Sequence, residues 1–361
     1  MSNGLGEERY AKIKVVGIGG GGQNAVNRMI DVGVSNVDFV AMNTDTQVLS
    51  VASAKHRLQL GETLTRGLGS GGDPEVGRQA AEESRQEIRR FLEGADMVFI
   101  TAGMGGGTGT GAAPIVAEIS KDLGALTVAV VTKPFPFEGA RRVKVAAEGA
   151  EKLREHVDTM ITIPNDRLLS VVEKNSTLVD AFRAADEILR QGIQGISDII
   201  TIPGMINVDF ADVKAIMQDA GTALMGIGMG TGENRASVAA QAATSSPLLE
   251  IGIDGARGVL LNITGGPDLA LSEVYDAADA IYRATDIENV NLIFGAVIDE
   301  KMAGQIKITI LATGFDGSRP TRTALTPAEA EMLIPIEEAV AVPAKLLPED
   351  ELDIPAFLRR R

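Results

Sequence analysis

The feature that most constrains the fold is a run of six glycines and two threonines between residues 103 and 111. It follows Met97 to Thr101, an apolar and partly β-branched segment typical of a buried strand, and a helical pattern opens at Ala112. Glycines between a strand and a helix let backbone N–H groups converge on an anion, and the helix N-terminus adds the positive end of its dipole. The run therefore predicts a phosphate-binding loop; the alternative is an ordinary tight turn.

A second glycine cluster, Gly17 to Gly22, follows the first predicted strand and precedes a predicted helix from Gln23 to Val32. It fits G-x-G-x-x-G, which by itself is weak evidence for dinucleotide binding. Two phosphate-type loops at one sheet edge suit a triphosphate better than NAD, whose pyrophosphate is normally held by one glycine turn. An NAD-dependent Rossmann oxidoreductase stays an alternative, although no catalytic histidine or Tyr–Lys pair is evident. The absence of G-x-x-x-x-G-K-[ST] excludes a P-loop NTPase.

Composition excludes several other classes of function. The formal charge of −15 disfavours nonspecific binding to nucleic acid or to an anionic membrane. The chain has no cysteine and two histidines, which rules out thiol catalysis and makes a histidine metal cluster improbable. No apolar signal region or membrane-length segment is present, so we expect a cytoplasmic protein.

Strand-like runs alternate with helical patterns from Lys12 to about Leu178 and predict an α/β fold with a parallel sheet. The expected strands are 13–18, 38–42, 97–101, 126–132 and 159–163. Ligands of such sheets bind at the carboxyl ends of the strands, where all the glycine loops fall. Three further strands are expected at 258–263, 291–297 and 305–313, with a helix over 271–284, in a second α/β domain.

The chain divides into six predicted segments. Apolar residues spaced three and four apart predict a long helix beginning at Leu178, and a shorter helix is expected from Val213 to Ala220. Proline-rich sequence after Gly317 indicates a linker, and the apolar residues after it suggest a peptide that docks into a partner. The segments are a flexible N-terminus (1–11), a phosphate-binding domain (12–177), a central helix (178–202), a second α/β domain (203–316), a disordered linker (317–350) and a partner-binding peptide (351–361).

Two sets of side chains are candidates for chemistry. Phe182 and Asp186 lie one helical turn apart, so the ring is placed to stack on a base whose N–H donors reach the carboxylate. A carboxylate selects guanine, which offers N1–H and a 2-amino group, over adenine. Asp209 and Asp212 begin the next helix, either as simple helix caps or as catalytic acids. They stand at the far end of the long helix, so in catalysis they would act on a neighbouring molecule.

These motifs together resemble the FtsZ family, the bacterial relatives of tubulin. Gly105 to Gly111 resembles the tubulin/FtsZ signature loop, and the similarity covers nearly the whole chain outside the first ten residues and the linker. The other matching stretches are Gly17 to Asn27, Asn43 to Asp45, Thr132 to Arg142, Phe182 to Asp186, Asn207 to Asp212 and Leu352 to Arg359.

The resemblance implies a GTPase that polymerises head to tail into filaments of the bacterial division ring at midcell, with residues 12–177 as its GTP-binding domain. The implied phosphate-binding residues are Gly20, Gly21, Gly22, Gln23, Asn24, Gly106, Gly107, Thr108 and Gly109, and Asn43 belongs to the same nucleotide site. Glu138 and Arg142 contact the ribose and phosphate region, while Asn165, Phe182 and Asp186 hold guanine.

The resemblance also assigns catalysis and partners. Asn207, Asp209 and Asp212 complete the active site of the next subunit by polarising the attacking water; in a nonhydrolysing nucleotide-binding scaffold, the alternative, the two acids have no such role. Mg²⁺ accompanies the triphosphate, and no metal ligand is assigned to the protein. The expected partners are a second copy of the chain and, through Leu352 to Arg361, membrane-tethering and regulatory division proteins, so that contact with the membrane is indirect.

Overall fold

The first half of the chain alternates strands with helices. A computed structural model describes residues 11–168, 177–202, 204–206, 208–249, 252–285 and 290–315. The strands of this half are β1 (Ile13–Ile18), β2 (Asp38–Asn43), β3 (His56–Gln59), β4 (Met97–Gly103), β5 (Leu126–Lys133) and β6 (Thr159–Pro164). Its helices are α1 (Gly19–Val32), α2 (Thr46–Ser50), α3 (Glu62–Thr65), α4 (Pro74–Glu83), α5 (Arg85–Leu92), α6 (Thr108–Asp122), α7 (Ala140–Arg154) and α8 (Asn165–Leu168).

The second half begins with the long predicted helix. Its helices are α9 (Leu178–Thr201), α10 (Phe210–Met217), α11 (Arg235–Thr244) and α12 (Leu271–Ala284). Its strands are β7 (Gly221–Thr231), β8 (Gly258–Gly265), β9 (Asn291–Ile298) and β10 (Gln305–Thr313). Two short 3₁₀ turns occur at Pro136–Glu138 and Glu300–Met302.

The described strands form one sheet in the order β3-β2-β1-β4-β5-β6-β7-β10-β8-β9. From β3 to β7 every neighbouring pair is parallel. β10 pairs antiparallel with both β7 and β8, whereas β8 and β9 are parallel. The α/β prediction is therefore confirmed, and the carboxyl ends of β1, β2, β4, β5 and β6 meet at one edge.

Helices cover both faces of the sheet. On one face α1, α9 and α10 pack with residues such as Val26, Leu189 and Val213. On the other face α4 to α7 pack with residues such as Ala80 and Val116. A third apolar cluster joins α11 and α12 to β7, β8 and β10. This layering places α9 along one face of the sheet, with its first turns beside the ends of the parallel strands.

Two strands in the described part of the chain were not predicted from the sequence. β3 is a short edge strand with the polar sequence HRLQ, which gives no apolar period. β7 contains glycines at 226, 228 and 230, and glycine weakens a strand pattern. Added Cβ atoms at these positions would overlap the carbonyl oxygens of Ala243, Ala239 and Arg235 in α11. The glycines are thus required by close helix packing, which a sequence pattern does not reveal.

Several helix boundaries also differ from prediction. α1 begins at Gly19 rather than Gln23, and α6 begins at Thr108 rather than Ala112, so both glycine clusters enter the first helical turn. Glycine is a poor helix former, so the sequence pattern predicts that each helix begins only after its glycine cluster. A Cβ at Gly22 would overlap the Thr101 carbonyl oxygen of β4, so tertiary packing explains the residue. α10 spans Phe210–Met217 rather than 213–220 because Asp209 caps it.

Some predictions lie outside the described residues. They are the N-terminal segment apart from Ala11, the linker over 317–350 and the peptide over 351–361. Within the described ranges, no helix combines the length and the apolar character that a membrane span needs.

Candidate functional site

The first glycine cluster forms the opening turn of α1 directly after β1. Gly19 has a φ of 70°, which favours glycine, and an added Cβ at Gly20 would have no neighbour within 4 Å. The first N–H groups of a helix have no partner within the helix. The turn therefore presents free donors and the positive end of a 14-residue helix to the space beyond Gly20.

The second cluster forms the opening of α6 after β4. Gly105 has a φ of 97°, and its N–H donates to the Thr110 hydroxyl at 2.8 Å, so that hydroxyl holds the turn. A Cβ at Gly107 would lie 2.8 Å from the Asp73 nitrogen, which shows how tightly the 70–73 loop packs here. The Thr108 hydroxyl is within hydrogen-bond distance of two others, those of Thr44 at 2.7 Å and Ser70 at 3.1 Å.

Both clusters line the same cavity of about 410 Å³. That volume is in the range of small-molecule sites. The lining includes twelve of the residues predicted from sequence, namely Gly20, Gly21, Asn24, Gly106, Gly107, Thr108, Gly109, Glu138, Arg142, Asn165, Phe182 and Asp186. Residues from five separate segments of the chain are therefore brought together at the edge where the parallel strands end.

The lining of the cavity also includes a ring, an amide and a carboxylate. The Phe182 side chain is 40% exposed, so the ring is accessible from the cavity. Asn165 is buried, and its Oδ1 atom has no hydrogen-bond partner in the described structure. Burial raises the pKa of Asp186 to about 7, and the positive charge of Arg28 opposes part of that rise. These three side chains offer a stacking surface and two acceptors for N–H or O–H donors.

An ion pair also lines the cavity. The Glu138 carboxylate is 2.9 Å from the Arg142 guanidinium, one helical turn along the chain. The other oxygen of Glu138 accepts the N–H of Phe135 at 2.9 Å. The Glu138 carboxylate and the Arg142 guanidinium, which follow β5, are therefore held next to each other on the cavity wall.

Three predicted ligands do not line the cavity. Gln23 is buried and donates from Nε2 to the Val48 carbonyl oxygen at 2.6 Å. Asn43 accepts the N–H of Asp45 at 3.2 Å, which fixes the turn after β2. Gly22 packs against β4. These residues shape the loops around the cavity, and their contact with a ligand stays a prediction.

The predicted catalytic acids also lie away from the cavity. Asp209 and Asp212 are exposed at the start of α10, where the Asp209 carboxylate accepts the Asp212 N–H at 2.8 Å. From Phe182 to Thr201, α9 alone covers ~28 Å at 1.5 Å per residue. Asn207 lies outside the described residues. The cavity and the two acids therefore belong to opposite ends of the long helix.

Several lining residues were absent from the predicted ligand set. They are Ile18, Ser70, Gly103, Met104, Thr132, Pro134, Ala185 and Leu189. Ser70 carried a signal, since it lies in a glycine-rich loop, GLGSGGDP. Ala185 and Leu189 are apolar positions of the α9 period, so only the fold shows that they border a cavity. Among the described residues no group of three or more acidic or histidine side chains is placed to hold a metal.

The fold and the cavity define an α/β protein of the nucleotide-binding class. Two glycine-rich helix N-termini line one cavity together with a ring and a neighbouring carboxylate. Neither turn carries the lysine of a P-loop, which separates this architecture from the P-loop NTPases.

Comparison with known proteins gives the family. Residues 12–173 match the model of the Tubulin/FtsZ family GTPase domain, and residues 221–316 match that of the FtsZ family C-terminal domain. An empty FtsZ dimer from M. jannaschii is 47% identical with a TM-score of 0.83, over 86% of this chain and 90% of that one. A substituted form of that FtsZ is 48% identical with a TM-score of 0.81, over 84% and 91%. The chain therefore belongs to the tubulin/FtsZ family of GTPases, in its FtsZ branch.

A more distant protein shares the same fold. CetZ2 from Haloferax volcanii, described as a GTPγS-bound protofilament, is 21% identical with a TM-score of 0.70, over 83% of this chain and 92% of that one. At this identity the similarity shows a shared fold. The family assignment supports GTP and GDP as ligands of the cavity and argues against the NAD-dependent alternative.

Proposed function

We propose that this chain is a GTPase that assembles head to tail into filaments of the cell-division ring and hydrolyses GTP at a site shared by adjacent subunits. The observation that carries the proposal is the separation of the cavity from the exposed acids of α10. Among the described residues, the carboxylates that line the cavity are Glu138 and Asp186. Glu138 is paired with Arg142, and Asp186 lies one helical turn from Phe182 on α9, so we assign the catalytic role to neither.

The glycine turns are the proposed phosphate site. Backbone N–H groups at the starts of α1 and α6 supply donors without side chains, and both helix dipoles favour a negative charge there. Gly20, Gly21 and Gly106 to Gly109 form this surface. Arg142 adds a positive charge on the same wall. Ser70 and Thr108 add hydroxyl groups to it.

The Phe182 end is the proposed guanine site. A base stacked on the ring places its N1–H and 2-amino donors toward the Asp186 carboxylate, which an adenine cannot match. The unpartnered Oδ1 of Asn165 supplies a further acceptor. Base recognition and phosphate binding are thus assigned to opposite ends of one cavity.

The donor set at the phosphate end fits Mg²⁺ as a companion of the triphosphate. Mg²⁺ usually keeps several waters and binds through substrate phosphates and one or two protein oxygens. The hydroxyls of Thr108 and Ser70 supply side-chain oxygens there, and the described residues offer no acidic cluster. When bound, the ion would neutralise phosphate charge.

Hydrolysis is assigned to the acids of the next subunit. Asp209 and Asp212, with Asn207, would enter the cavity mouth of a neighbour and orient the water that attacks the γ-phosphate. Phosphoryl transfer depends mainly on positioning and charge stabilisation, so exposed carboxylates held at a helix start suffice. A head-to-tail contact that does not close into a ring generates a filament, and hydrolysis then depends on assembly. The dimeric FtsZ of M. jannaschii supports self-association.

The remaining assignments concern the whole chain. We propose the six-segment division given by the sequence, with residues 12–177 binding GTP and residues 178–202 linking them to the second α/β domain. Leu352 to Arg361 would bind membrane-tethering and regulatory division proteins, which places the chain in the cytoplasm at midcell. Removing 351–361 should leave GTP turnover unchanged and abolish binding to such a partner.

The deciding experiment is turnover per subunit against protein concentration, in GTP and in ATP. We expect almost no GTP hydrolysis below a critical concentration and a constant rate per additional subunit above it. Equal specific activity at all dilutions would refute the shared site. Equal turnover of ATP would refute guanine recognition by Asp186, and filaments that persist after GTP exhaustion would favour a nonhydrolysing scaffold.

A further inference from the structure

Three phenylalanine rings form a cluster beside the proposed base site. The rings of Phe135 and Phe182 have centroids 5.4 Å apart and planes at 89°, an edge-to-face contact. Phe135 and Phe137 are stacked, with centroids 5.0 Å apart and planes 13° apart. Phe135 therefore contacts both other rings and joins the loop after β5 to the second turn of α9.

Phe135 is the fixed member of this cluster. Its side chain is 0% exposed, whereas Phe182 is 40% and Phe137 is 58% exposed. Its N–H donates to Glu138, and its carbonyl oxygen accepts the Glu138 N–H at 3.0 Å. Because Glu138 also pairs with Arg142, the backbone that carries the buried ring is tied to the cavity wall.

The edge-to-face geometry leaves Phe182 able to stack on a ligand. In such a pair only one face of one ring is covered, so at least one face of Phe182 is free whichever ring presents its edge. A half-exposed phenylalanine without a neighbour samples several rotamers, and binding must then restrict it. A preformed ring contact removes part of that cost before the nucleotide arrives.

We propose that Phe135 is a positioning residue for nucleotide binding, whose buried ring holds the Phe182 ring in the orientation that stacks on the base. The inference rests on the proposed function, because it takes Phe182 to be the base-stacking residue. Phe135 does not line the cavity, so it acts through Phe182 and not by touching the nucleotide.

The test is a double-mutant cycle in GDP affinity. GDP is titrated calorimetrically into the full chain and into the Phe135→Leu, Phe182→Leu and doubly substituted chains. An aromatic pair of this geometry predicts that Phe135→Leu weakens GDP binding about two- to tenfold. In the Phe182→Leu background the same change should have almost no effect. For GTP turnover, KM should rise by the same factor while kcat is unchanged.

A matched control separates positioning from loss of packing. Phe99 is also 0% exposed and lies in the core on β4, so Phe99→Leu removes a buried ring elsewhere in the sheet. It should lower thermal stability without changing GDP affinity. If Phe135→Leu does not fold, Phe135→Met also removes the ring and keeps an apolar side chain of similar reach.

The outcomes are distinguishable. Unchanged GDP affinity in folded Phe135→Leu, or an equal loss of affinity with and without the Phe182 ring, refutes the positioning role and leaves the proposed function standing. Failure of the unsubstituted chain to bind GDP refutes the proposed function, and the inference with it.

Discussion

Nucleotide affinity should fall steeply as the pH drops below about 7, because the carboxylate at the base site must lose its proton to bind guanine. Burial raises the pKa of Asp186 from 3.8 to about 7, and Arg28 opposes part of the rise. An ionised carboxylate accepts two hydrogen bonds, from N1–H and from the 2-amino group. A protonated carboxyl carries its own donor and loses one of them.

The size of the effect follows from the fraction of Asp186 that is ionised. With a pKa of about 7, that fraction falls about tenfold between pH ~8 and pH ~6. The affinity for GDP should fall by the same factor, which corresponds to about 1.4 kcal/mol. GDP binding in this range should release protons, because guanine binds the ionised carboxylate more tightly than the protonated one.

Calorimetric titration of GDP across this pH range, in two buffers of different ionisation enthalpy, measures both quantities. The matched variant Asp186→Asn has a neutral side chain of the same shape, so it should bind more weakly near pH ~8 and show no pH slope from this site. Affinity that is constant over the range, or an equal slope in the variant, would refute the reasoning.

The same group makes a prediction for folding. Its folded pKa lies above the unfolded value, so the folded chain holds the proton more tightly between about 3.8 and about 7. The stability that Asp186 contributes is fully present below that window and is lost as the pH rises through it. Urea unfolding without nucleotide should show this loss in the unsubstituted chain and not in Asp186→Asn.

Three substitutions test other parts of the molecule. Asp212→Ala should leave GDP affinity within about twofold and abolish most GTP turnover, while Asp276→Ala, an exposed acid on α12, should change neither. Gly22→Ala should cost about 3 kcal/mol in urea unfolding because its Cβ overlaps a carbonyl oxygen of β4, whereas a Cβ at Gly20 meets nothing and should be tolerated. Arg235→Ala should cost about 3 kcal/mol, since its buried guanidinium binds two carboxylates at 2.5 and 2.6 Å.

Each of these three predictions has a result that would contradict it. Loss of GDP binding in Asp212→Ala would place that acid in the cavity of its own subunit. Equal stability of the Gly22→Ala and Gly20→Ala chains would mean that α1 is free to move away from β4. Arg283→Ala removes an exposed arginine that pairs with one carboxylate, so an equal loss of stability there would contradict a special role for the buried arginine.

Local patterns predicted much of the fold. Strands whose apolar runs fill a doubly covered sheet, such as β5, were visible because burial on both faces demands continuous apolar sequence. The period of α9 was visible because one face of it packs on the sheet. The local pattern did not reveal β7, because its glycines are needed for close packing against α11. That packing is a contact between segments separated in sequence.

The candidate site divides in the same way. Residue types and order along the chain indicated two phosphate-binding turns, a stacking ring with a carboxylate one turn away, and an acidic pair after the long helix. These features could be predicted because each depends on residues that are close together within one segment.

Only the tertiary structure decided which of these groups share a cavity. Gln23 and Asn43 do not line the cavity and hydrogen-bond to neighbouring backbone groups instead. The tertiary structure added Ser70 and placed the fully buried Phe135 behind Phe182. The shift in the pKa of Asp186 also belongs to the fold, because burial comes from elements distant in sequence. The sequence by itself determines which side chains are present and how they are spaced within one segment. Their proximity, their burial and the orientation of a ring arise only when separate strands and helices pack together.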